Sequence, residues 1–172
     1  IMISSKTLNI DNPRLTCRLK GYNKFSPKRI ILDKNLDIKL TSYIFQSAKK
    51  GNTILFYHSS NTKKIKVLKK KGLTLIKTKL NNEGLLDMKI VLKKLFTLGT
   101  RSLLVEGGDK ISKNLIKNKL IDTFYLFQSP KILRVNNVNQ GFTSFGILNG
   151  KYKKVSKITS KLAKDNITIY KR

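Results

Sequence analysis

The chain is poor in the residues that build metal sites and covalent cross-links. Among its 172 residues one is cysteine, Cys17, one is histidine, His58, and none is tryptophan. One cysteine excludes an internal disulfide, and one histidine with one cysteine cannot form a dedicated zinc site, so we expect no metal. Cys17 lacks a plausible histidine partner for nucleophilic chemistry and is interpreted as a small apolar residue. His58 is interpreted as a surface loop residue rather than a base.

Long apolar runs are also absent, since no run approaches the roughly 20 residues that a membrane helix needs. The hydrophobic content of 40% is ordinary for a globular protein. The amino terminus has no basic region followed by an apolar stretch, the pattern of a signal peptide. We therefore expect a cytoplasmic protein without membrane contact, folded as a single domain over residues 1–172. Because the opening Ile1-Met2-Ile3 already resembles a strand, we expect a piece of a longer polypeptide.

Acidic residues are scarce: 9 Asp and Glu stand against 37 Lys and Arg, which gives a formal net charge of +28. Such a charge is typical of a basic nucleic-acid-binding protein, which is one alternative for the function. However, the lysines are spread over predicted helices, loops and strand ends, and arginine, the preferred reader of phosphates and base edges, is scarce. Compositional drift in a chain rich in Lys, Ile and Asn explains this pattern better, so we expect no specific nucleic-acid binding. A positive field still attracts anionic small molecules.

Strand-like apolar runs alternate with helical segments along most of the chain. Strands are predicted over residues 1–4, 28–32, 53–57, 73–77, 102–105 and 123–128, with a closing antiparallel hairpin over 152–162 and 167–170. Helices are predicted from Asn61 or Thr62 to Lys71 with Gly72 as C-cap, from Asp87 as N-cap to Leu98, and over 110–119. Residues 6–18 are predicted as a loop, and 135–150 have no clear pattern. The alternation predicts an α/β fold with a mostly parallel sheet and an antiparallel end.

Residues 102–111 have the pattern of a strand, a glycine pair and a helix start. Glu106 follows the predicted buried strand, Gly107 and Gly108 allow a tight turn and close approach to a ligand, and Asp109 can cap the helix that follows. In open α/β sheets, ligands bind at the carboxyl ends of the strands, and a helix amino terminus there favours an anion such as phosphate. A plain strand-to-helix turn is the alternative, because many such junctions carry Gly-Gly for the turn alone. Neither a Gly-x-Gly-x-x-Gly nor a P-loop motif is present.

A second motif is the segment Asp11-Asn12-Pro13-Arg14-Leu15-Thr16-Cys17-Arg18. The simpler alternative is that Asp-Asn-Pro forms a turn without a further function. The functional interpretation is a loop at the carboxyl end of a strand that presents Asp11 and Arg18, whose guanidinium can bind a phosphate through paired donors. If the strands are parallel, this loop and Glu106 lie at one edge of the sheet and form one crevice.

Four segments in register resemble the reductase domain of the bifunctional deaminase/reductase of riboflavin biosynthesis. The 11–18 loop is similar to the family's Asp-Asp-Pro-x-Leu-Thr-x-Arg loop, and Arg29-Ile-Ile-Leu-Asp33 is similar to its next strand. Leu103-Leu-Val-Glu106-Gly107-Gly108 is similar to its glycine-pair motif. The stretch from Leu120-Ile-Asp122 to Pro130-Lys-Ile-Leu133 resembles its Leu-Val-Asp-Glu…Ala-Pro-Lys-Leu-Leu segment. The resemblance covers nearly the whole chain.

The resemblance implies a dihydrofolate-reductase-like three-layer fold and an NADPH-dependent reaction. The family reduces 5-amino-6-(5-phosphoribosylamino)uracil by hydride transfer to the sugar carbon that is bonded to the amine, which converts ribosyl into ribityl. The cofactor supplies the chemistry, and the protein holds the reacting atoms in contact. The resemblance also implies a homodimer and a deaminase domain fused upstream.

By position, the resemblance assigns cofactor contacts to Thr7, Asp11 and Lys34, of which Lys34 could suit a 2′-phosphate. It assigns substrate contacts to Leu15 and Arg18, with Arg18 toward the substrate phosphate. Glu106 is implied as the catalytic residue and as a substrate contact near the reacting sugar. The cofactor phosphates are implied to lie on the glycine pair and the helix start, which comprise Gly107, Gly108, Asp109, Lys110, Ile111 and Ser112, and on through Asn114.

Three differences from the family pattern bear on these assignments. Asn12 replaces the second Asp of the loop, which we expect to affect the turn more than catalysis. Asp109 stands where the family often has a neutral residue, and a carboxylate there would repel a phosphate. The family's first strand and helix, and its zinc-containing deaminase domain, precede the point where this chain begins. An inactive fragment of the reductase is therefore a further alternative.

Overall fold

Four short apolar strands form a parallel sheet. In the computed structural model, which describes residues 1–129, 142–159 and 165–172, they are β1 (Met2–Ser4), β2 (Arg29–Leu32), β3 (Thr53–Tyr57) and β4 (Thr74–Lys77). Their order in the sheet is β1-β2-β3-β4, and each neighbouring pair is parallel. Every residue of β2 and β3 is buried, as is usual for strands covered on both faces. The strands predicted over 1–4, 28–32, 53–57 and 73–77 are confirmed.

Helices connect the strands of this sheet. They are α1 (Ser5–Asp11) between β1 and β2, α2 (Tyr43–Gln46) between β2 and β3, α3 (Thr62–Lys70) between β3 and β4, and α4 (Met88–Thr97) after β4. The N-caps predicted for α3 and α4 are confirmed, whereas the C-cap of α3 is Lys71, one residue before the predicted Gly72. The Asn61 side chain accepts a hydrogen bond at the start of α3, and the Asp87 side chain accepts two at the start of α4. Gly72 follows α3 with φ +99°, a conformation that favours glycine.

The loop predicted over residues 6–18 is wrong in its first half, where α1 forms. The Ser4 hydroxyl caps α1 by accepting a hydrogen bond from the Thr7 amide at 3.1 Å. Leu8 is the one fully buried residue of α1, so the segment carries no apolar stripe that would indicate a helix. The helix ends at Asn12, whose backbone is left-handed with φ +42°. Asparagine tolerates this conformation better than most residues.

The strand predicted over residues 102–105 is reduced to a single parallel bridge between Val105 and Met2. The Met2 amide donates to the Leu104 carbonyl oxygen at 2.8 Å, and the Glu106 amide donates to the Met2 carbonyl oxygen at 3.0 Å. These bonds place the segment beside β1, on the side opposite β2. The prediction that the run is buried is wrong, because Ser102 and Leu104 are exposed, Leu104 to 57%, and Leu103 and Val105 are half-buried. Among the described residues, no strand pairs with the other side of this segment.

The chain divides into two compact units, Ile1–Gly107 and Gly108–Arg172. The core of the first unit is built from residues of the parallel strands and from helices and loops of the same unit. One cluster of this core comprises Ile3, Leu8, Ile31, Leu36, Ile38, Ile44, Phe45, Ala48, Leu55, Tyr57, Leu68 and Leu73. This cluster joins β1, β2 and β3 to α1, α2 and α3, while the buried residues of α4, Met88, Val91 and Leu95, lie outside it. The single domain over residues 1–172 stays a prediction.

The second unit combines two helices with an antiparallel sheet. Its elements are α5 (Asp109–Lys117), β5 (Thr123–Gln128), α6 (Phe145–Lys151), β6 (Lys153–Thr159) and β7 (Asn166–Lys171). The strands form a three-stranded sheet in the order β5-β7-β6, and both pairs are antiparallel. Ile116, Leu126, Leu148, Tyr152 and Tyr170 form its core. The α/β class and the closing antiparallel hairpin are confirmed.

Some predictions for the second unit need correction or lie beyond what the structure describes. Helix α6 forms within the stretch that had no clear pattern. Its sequence includes Gly146 and Gly150, and glycine lowers helix propensity. Residues 130–141 and 160–164 lie outside the described part, and these include the Pro130–Leu133 segment of the resemblance and Lys164 of the predicted hairpin turn.

Across residues 1–129, 142–159 and 165–172, we find no helix with the length and apolar character of a membrane span.

Candidate functional site

The strand order of the first unit reverses next to β1. From β1 the chain adds β2, β3 and β4 in one direction, and it then returns through α4 to place Leu104–Glu106 on the other side of β1. Such a reversal is a topological switch point, and the crevice at the carboxyl ends of the two strands beside it is where open α/β sheets bind ligands. The residues that follow β1 and the bridge at Val105 therefore line the candidate site.

Glu106 stands at this switch point. Its backbone is fixed by the hydrogen bond to Met2, while its side chain is exposed. Among the described residues, no hydrogen bond or ion pair engages the Glu106 carboxylate. A carboxylate held by its backbone and free at its oxygens can accept hydrogen bonds from a ligand. The predicted position of Glu106 at the carboxyl edge is confirmed, and its role stays a prediction.

Thr7 lies at the same edge, in the first turn of α1. Its hydroxyl is 3.0 Å from the Ser4 hydroxyl, and its amide donates to that same Ser4 oxygen. Asp11 is the last residue of α1, roughly 9 Å along the helix axis from the first, and its side chain is exposed. The structure thus places Thr7 near the end of β1 and Asp11 at the far end of the helix.

The loop after α1 is held by specific contacts. The Asn12 side-chain oxygen accepts a hydrogen bond from the Tyr43 amide at 2.7 Å, and the Arg14 guanidinium lies 5.3 Å from the centre of the Tyr43 ring. Leu15 has φ +51° and packs against the core of the first unit. A left-handed leucine is strained, and such strain often occurs at functional sites. These contacts fix the course of the loop.

Arg18 is exposed in this loop. No hydrogen bond or ion pair joins it to Glu106 or to any other residue of the described ranges. Because β2 is parallel to β1, the chain from α1 to β2 must return from the carboxyl edge to the amino edge of the sheet. The structure therefore leaves the guanidinium available for an anion, but it does not bring Arg18 and Glu106 into direct contact.

The turn after β2 is built around a buried carboxylate. Asp33 accepts hydrogen bonds from the Asp37 amide at 2.8 Å and from the Ile38 amide at 2.9 Å. Burial raises the pKa of the Asp33 carboxyl, and the bonds from Asp37, Ile38 and the Ser5 side chain oppose that rise. The next residue, Lys34, is exposed, and its Nζ donates to the Gly84 carbonyl oxygen at 3.2 Å. A fixed turn therefore presents a cation at the carboxyl edge.

His58 follows β3 at the same edge, and its predicted position in an exposed loop just past a strand is confirmed. Its Nδ1 lies 2.9 Å from the Thr78 carbonyl oxygen, and the ring is exposed. Its place at this edge follows from the pattern, because residues that follow successive parallel strands share one edge. No group of three or more potential metal ligands occurs among the residues that the structure describes.

The second unit begins with the predicted phosphate cradle. Gly108 is the N-cap of α5, with φ −68° and ψ 174°, a conformation open to any residue. The prediction that the glycine pair serves a tight turn is therefore wrong for Gly108, and Gly107 has no positive φ either. No described atom lies within 4 Å of a Cβ built on Gly108. The space beside this glycine is open, as close approach of a ligand requires.

The start of α5 offers unsatisfied donors. Ile111 and Ser112 donate their amides to the Gly108 carbonyl oxygen, whereas the amides of Asp109 and Lys110 find no acceptor in the part of the chain that the structure describes. Free amides at a helix start favour an anion. Asn114, at the end of the predicted cradle, is buried within the helix.

Asp109 is the first residue of α5 rather than its cap. Its carboxylate accepts hydrogen bonds from the Thr143 amide at 3.0 Å, the Thr143 hydroxyl at 2.7 Å and the Ser144 hydroxyl at 3.3 Å. Burial pushes the pKa of Asp109 up, but the bonds from Thr143 and Ser144 and the charge of Lys113 outweigh it, so the pKa is lowered. The carboxylate therefore stays ionised, and its charge still opposes a phosphate at this helix start.

The family model and the named relatives that match this chain agree with one another. Residues 1–163 match the family model described as RibD C-terminal domain. Riboflavin biosynthesis protein RibD of Aquifex aeolicus is 32% identical over 133 residues, covering 77% of this chain and 35% of the relative. The 2,5-diamino-6-ribosylamino-4(3H)-pyrimidinone 5′-phosphate reductase of the same organism is 28% identical over 139 residues, covering 80% of this chain and 59% of the relative. The chain therefore spans about a third to three-fifths of these relatives.

Solved structures with the same fold are similar over almost the whole chain. RibD of Acinetobacter baumannii superposes with a TM-score of 0.72 at 19% identity, covering 99% of this chain and 46% of that one. A pyrimidine reductase-like protein of Corynebacterium diphtheriae gives a TM-score of 0.74 at 17% identity, covering 99% and 74%. At these identities the likeness establishes the fold.

Proposed function

This chain belongs to the RibD C-terminal domain family, and on that premise we propose that it is an NADPH-dependent reductase of riboflavin biosynthesis. It reduces the ribosyl group of a ribosylaminopyrimidine 5′-phosphate to ribityl. The observation that carries the proposal is the switch point beside β1, where a free Glu106 carboxylate and the capped start of α1 with Thr7 share one edge of the sheet.

The substrate is one of two closely related pyrimidines. The first is 5-amino-6-(5-phosphoribosylamino)uracil, the deaminated compound. The second is the 2,5-diamino compound, which appears in the names of relatives from Aquifex aeolicus, Debaryomyces hansenii and Archaeoglobus fulgidus. Both carry the same phosphorylated sugar, so the contacts proposed for the sugar hold for either.

The first unit binds the substrate through its sugar. Arg18 pairs its guanidinium with the 5′-phosphate, and Leu15 contacts the substrate from the strained loop. Glu106 accepts hydrogen bonds from the sugar and orients the reacting carbon, which makes it the catalytic residue. In the reaction, the bond from this carbon to the ring oxygen breaks, a hydride adds to the carbon, and a proton adds to the oxygen.

The residues present fit a dinucleotide cofactor. When bound, NADPH supplies the hydride. Thr7, Asp11 and Lys34 contact it in the first unit. In the second unit, the open space at Gly108 and the free amides of Asp109 and Lys110 suit a diphosphate, and Gly107, Ile111 and Ser112 complete that segment.

The proposal also covers a fused domain, the location of the protein and its oligomeric state. The RibD relatives are covered over only 35% of their length, which supports a deaminase domain fused upstream. We also propose that the protein is cytoplasmic and forms a homodimer, because the family resemblance implies both.

The test is steady-state turnover in the full-length protein. Each pyrimidine is supplied with NADPH, nucleotide oxidation is followed by absorbance, and the product is analysed by mass spectrometry. We expect oxidation that depends on a pyrimidine, with one product two hydrogens heavier per nucleotide oxidised. Absence of turnover with both pyrimidines contradicts the proposal, while turnover with one of them identifies the substrate.

A further inference from the structure

Helix α1 carries the proposed cofactor contacts Thr7 and Asp11, yet it has little apolar packing to hold it in place. It is seven residues long, and Leu8 is its one fully buried residue. Helices of that length are unstable on their own in water, and most helices in proteins are held by an apolar face. The position of α1 must therefore depend on polar contacts with the rest of the first unit.

The side chain of Asn9 bonds α1 to the segment 37–39, which follows the turn after β2. Its Nδ2 donates to the Asp37 carbonyl oxygen at 2.9 Å, and its Oδ1 accepts from the Lys39 amide at 3.1 Å. The two bonds lie on either side of Ile38, which is the pattern that one residue of a parallel strand makes with its neighbour. Because a donor and an acceptor are used together, the orientation of the Asn9 amide is fixed as well as its distance.

The segment that Asn9 binds is itself anchored. Asp33, directly after β2, accepts the amides of Asp37 and Ile38, and the side chain of Ile38 is fully buried. The Ser5 side chain, in the first turn of α1, also bonds to Asp33. Helix α1 is thus tied to the end of β2 at Ser5 and to the anchored segment one turn later at Asn9.

The spacing along α1 separates the residues that hold it from the residues proposed to contact the cofactor. Ser5 and Asn9 are four residues apart and share one face of the helix, and so do Thr7 and Asp11. A step of two residues turns the helix by about 200°, so the second pair lies on nearly the opposite face. The bonds of Ser5 and Asn9 therefore hold α1 from the side away from Thr7 and Asp11.

We propose that Asn9 is a positioning residue, which holds α1 on the segment after β2 and so sets where Thr7 and Asp11 meet the cofactor. The inference rests on the proposed function, since it concerns contacts made to NADPH. Asn9 touches neither the cofactor nor the pyrimidine and acts through the placement of the helix. Loss of its two bonds lets α1 shift, and a small displacement of the contacting groups is enough to weaken a bound ligand.

The test is equilibrium binding of NADPH to the full-length protein, measured by titration calorimetry at a temperature where circular dichroism shows every variant to be folded. Asn9→Ala removes both bonds, and Asn9→Ser removes them while keeping a polar side chain. Asn52 is the matched control, because its Oδ1 accepts from the Lys49 amide at 3.0 Å and its Nδ2 donates to the Ser47 carbonyl oxygen at 3.3 Å. It precedes β3, at the amino edge of the same sheet.

We expect both Asn9 variants to weaken NADPH binding by about tenfold. KM for the pyrimidine should change less than twofold, because the loop after α1 has its own contacts at Asn12 and Leu15. Asn52→Ala should lower the urea midpoint by a similar amount and change NADPH affinity less than twofold. In an Asp11→Ala background, Asn9→Ala should weaken NADPH by a smaller factor, because one of the contacts that it positions is already absent.

Wild-type affinity for NADPH in the two Asn9 variants overturns the inference and leaves a reductase that binds NADPH without this support. An equal loss in Asn52→Ala also overturns it, because the effect is then general destabilisation. Fully additive effects of Asn9→Ala and Asp11→Ala overturn it as well, since the two residues then act independently. Failure of the wild type to bind NADPH contradicts the proposed function itself.

Discussion

The amide of Glu106 donates a hydrogen bond of 3.0 Å to the carbonyl oxygen of Met2. This bond joins the last segment of the parallel sheet to its first strand, and it holds Glu106 at the switch point through the backbone alone. The side chain makes no hydrogen bond or ion pair with the described residues, and its only electrostatic interaction there is with the amino group of Ile1, so its role in the reaction can be separated from unfolding. The parallel bridge between Met2 and Val105 therefore marks the position of the candidate site.

Replacing Glu106 with glutamine should reduce turnover without destabilising the protein. Glu106→Gln keeps the size of the side chain but removes the charge that accepts hydrogen bonds from the sugar. We expect kcat to fall on the order of 100-fold, while the free energy of unfolding changes by less than about 0.5 kcal/mol because the carboxylate is exposed. Steady-state kinetics and urea unfolding measure the two effects. Wild-type kcat in this variant would remove Glu106 from the mechanism.

Arg18 and Lys20 form a matched pair of exposed cations in one loop. Arg18→Met should raise KM for the pyrimidine by about tenfold to 100-fold, the cost of a charge-assisted hydrogen bond to phosphate. Lys20→Met should change KM less than twofold, since general attraction in a protein of charge +28 barely depends on one lysine. Equal effects of the two substitutions would show that the loop attracts phosphate only through its overall charge.

Asn12 should matter for the loop rather than for the reaction. Asn12→Ala loses the hydrogen bond from the Tyr43 amide and places alanine at φ +42°. We expect the free energy of unfolding to drop by about 2 kcal/mol, measured by urea titration. Asn12→Asp keeps the acceptor and should leave stability nearly unchanged. A large loss in the aspartate variant would mean that the amide group itself, rather than its oxygen, supports the loop.

Asp33 should make stability depend on pH in a defined direction. Burial raises its pKa in the folded state, so the folded protein binds the proton more tightly than the unfolded chain. Its contribution to stability is therefore fully present below the ordinary pKa of an aspartate and is lost as pH rises through the raised value. Asp33→Asn cannot titrate, so the wild type should lose stability relative to this variant as pH rises through that window.

The same substitution has a second, pH-independent cost. The Asp33 oxygens accept the amides of Asp37 and Ile38, and asparagine places an NH₂ donor against one of them. We expect Asp33→Asn to be less stable than the wild type by about 1–3 kcal/mol at neutral pH. Urea unfolding from pH 4 to pH 8 tests both statements. A difference between the two proteins that grows as pH rises would contradict the direction given for the pKa.

The parallel sheet could be predicted from the sequence because its strands carry strong local patterns. The runs at Arg29–Leu32 and Thr53–Tyr57 are buried over their whole length, and an apolar run between polar turns indicates such a strand. Asn61 and Asp87 act as caps whose side chains accept hydrogen bonds from nearby amides. Capping therefore also depends on residues that are close in sequence. Patterns of this kind depend on a few neighbouring residues.

Other features depend on contacts that are distant in sequence. Helix α1 buries only Leu8 fully, so its existence shows in the Ser4 cap rather than in any periodicity. The exposure of Leu104 cannot be seen from the apolar run itself. Asp109 has the residue type of a cap, but its carboxylate bonds to Thr143, which is 34 residues away. A single sequence does not show such a partner.

The candidate site shows the same division. The position of Glu106 after a strand could be predicted from the glycine-pair motif. The contacts of His58 could not, because its amide bonds to the Lys34 carbonyl oxygen and its ring to the Thr78 carbonyl oxygen, and both partners are distant in sequence. The open space beside Gly108 could not be predicted either, because a glycine that serves a turn and one that leaves room for a ligand look alike in sequence.

The central claim is that this fold delivers a hydride to the sugar carbon that is bonded to the amine. Its most direct test is a reaction of the full-length protein with NADPH that carries deuterium at the transferable position of the nicotinamide. The account predicts one deuterium in the ribityl product, located by NMR on the carbon attached to nitrogen, at a yield matching the nucleotide oxidised. Deuterium elsewhere in the product, or nucleotide oxidation without a deuterated ribityl compound, would contradict it.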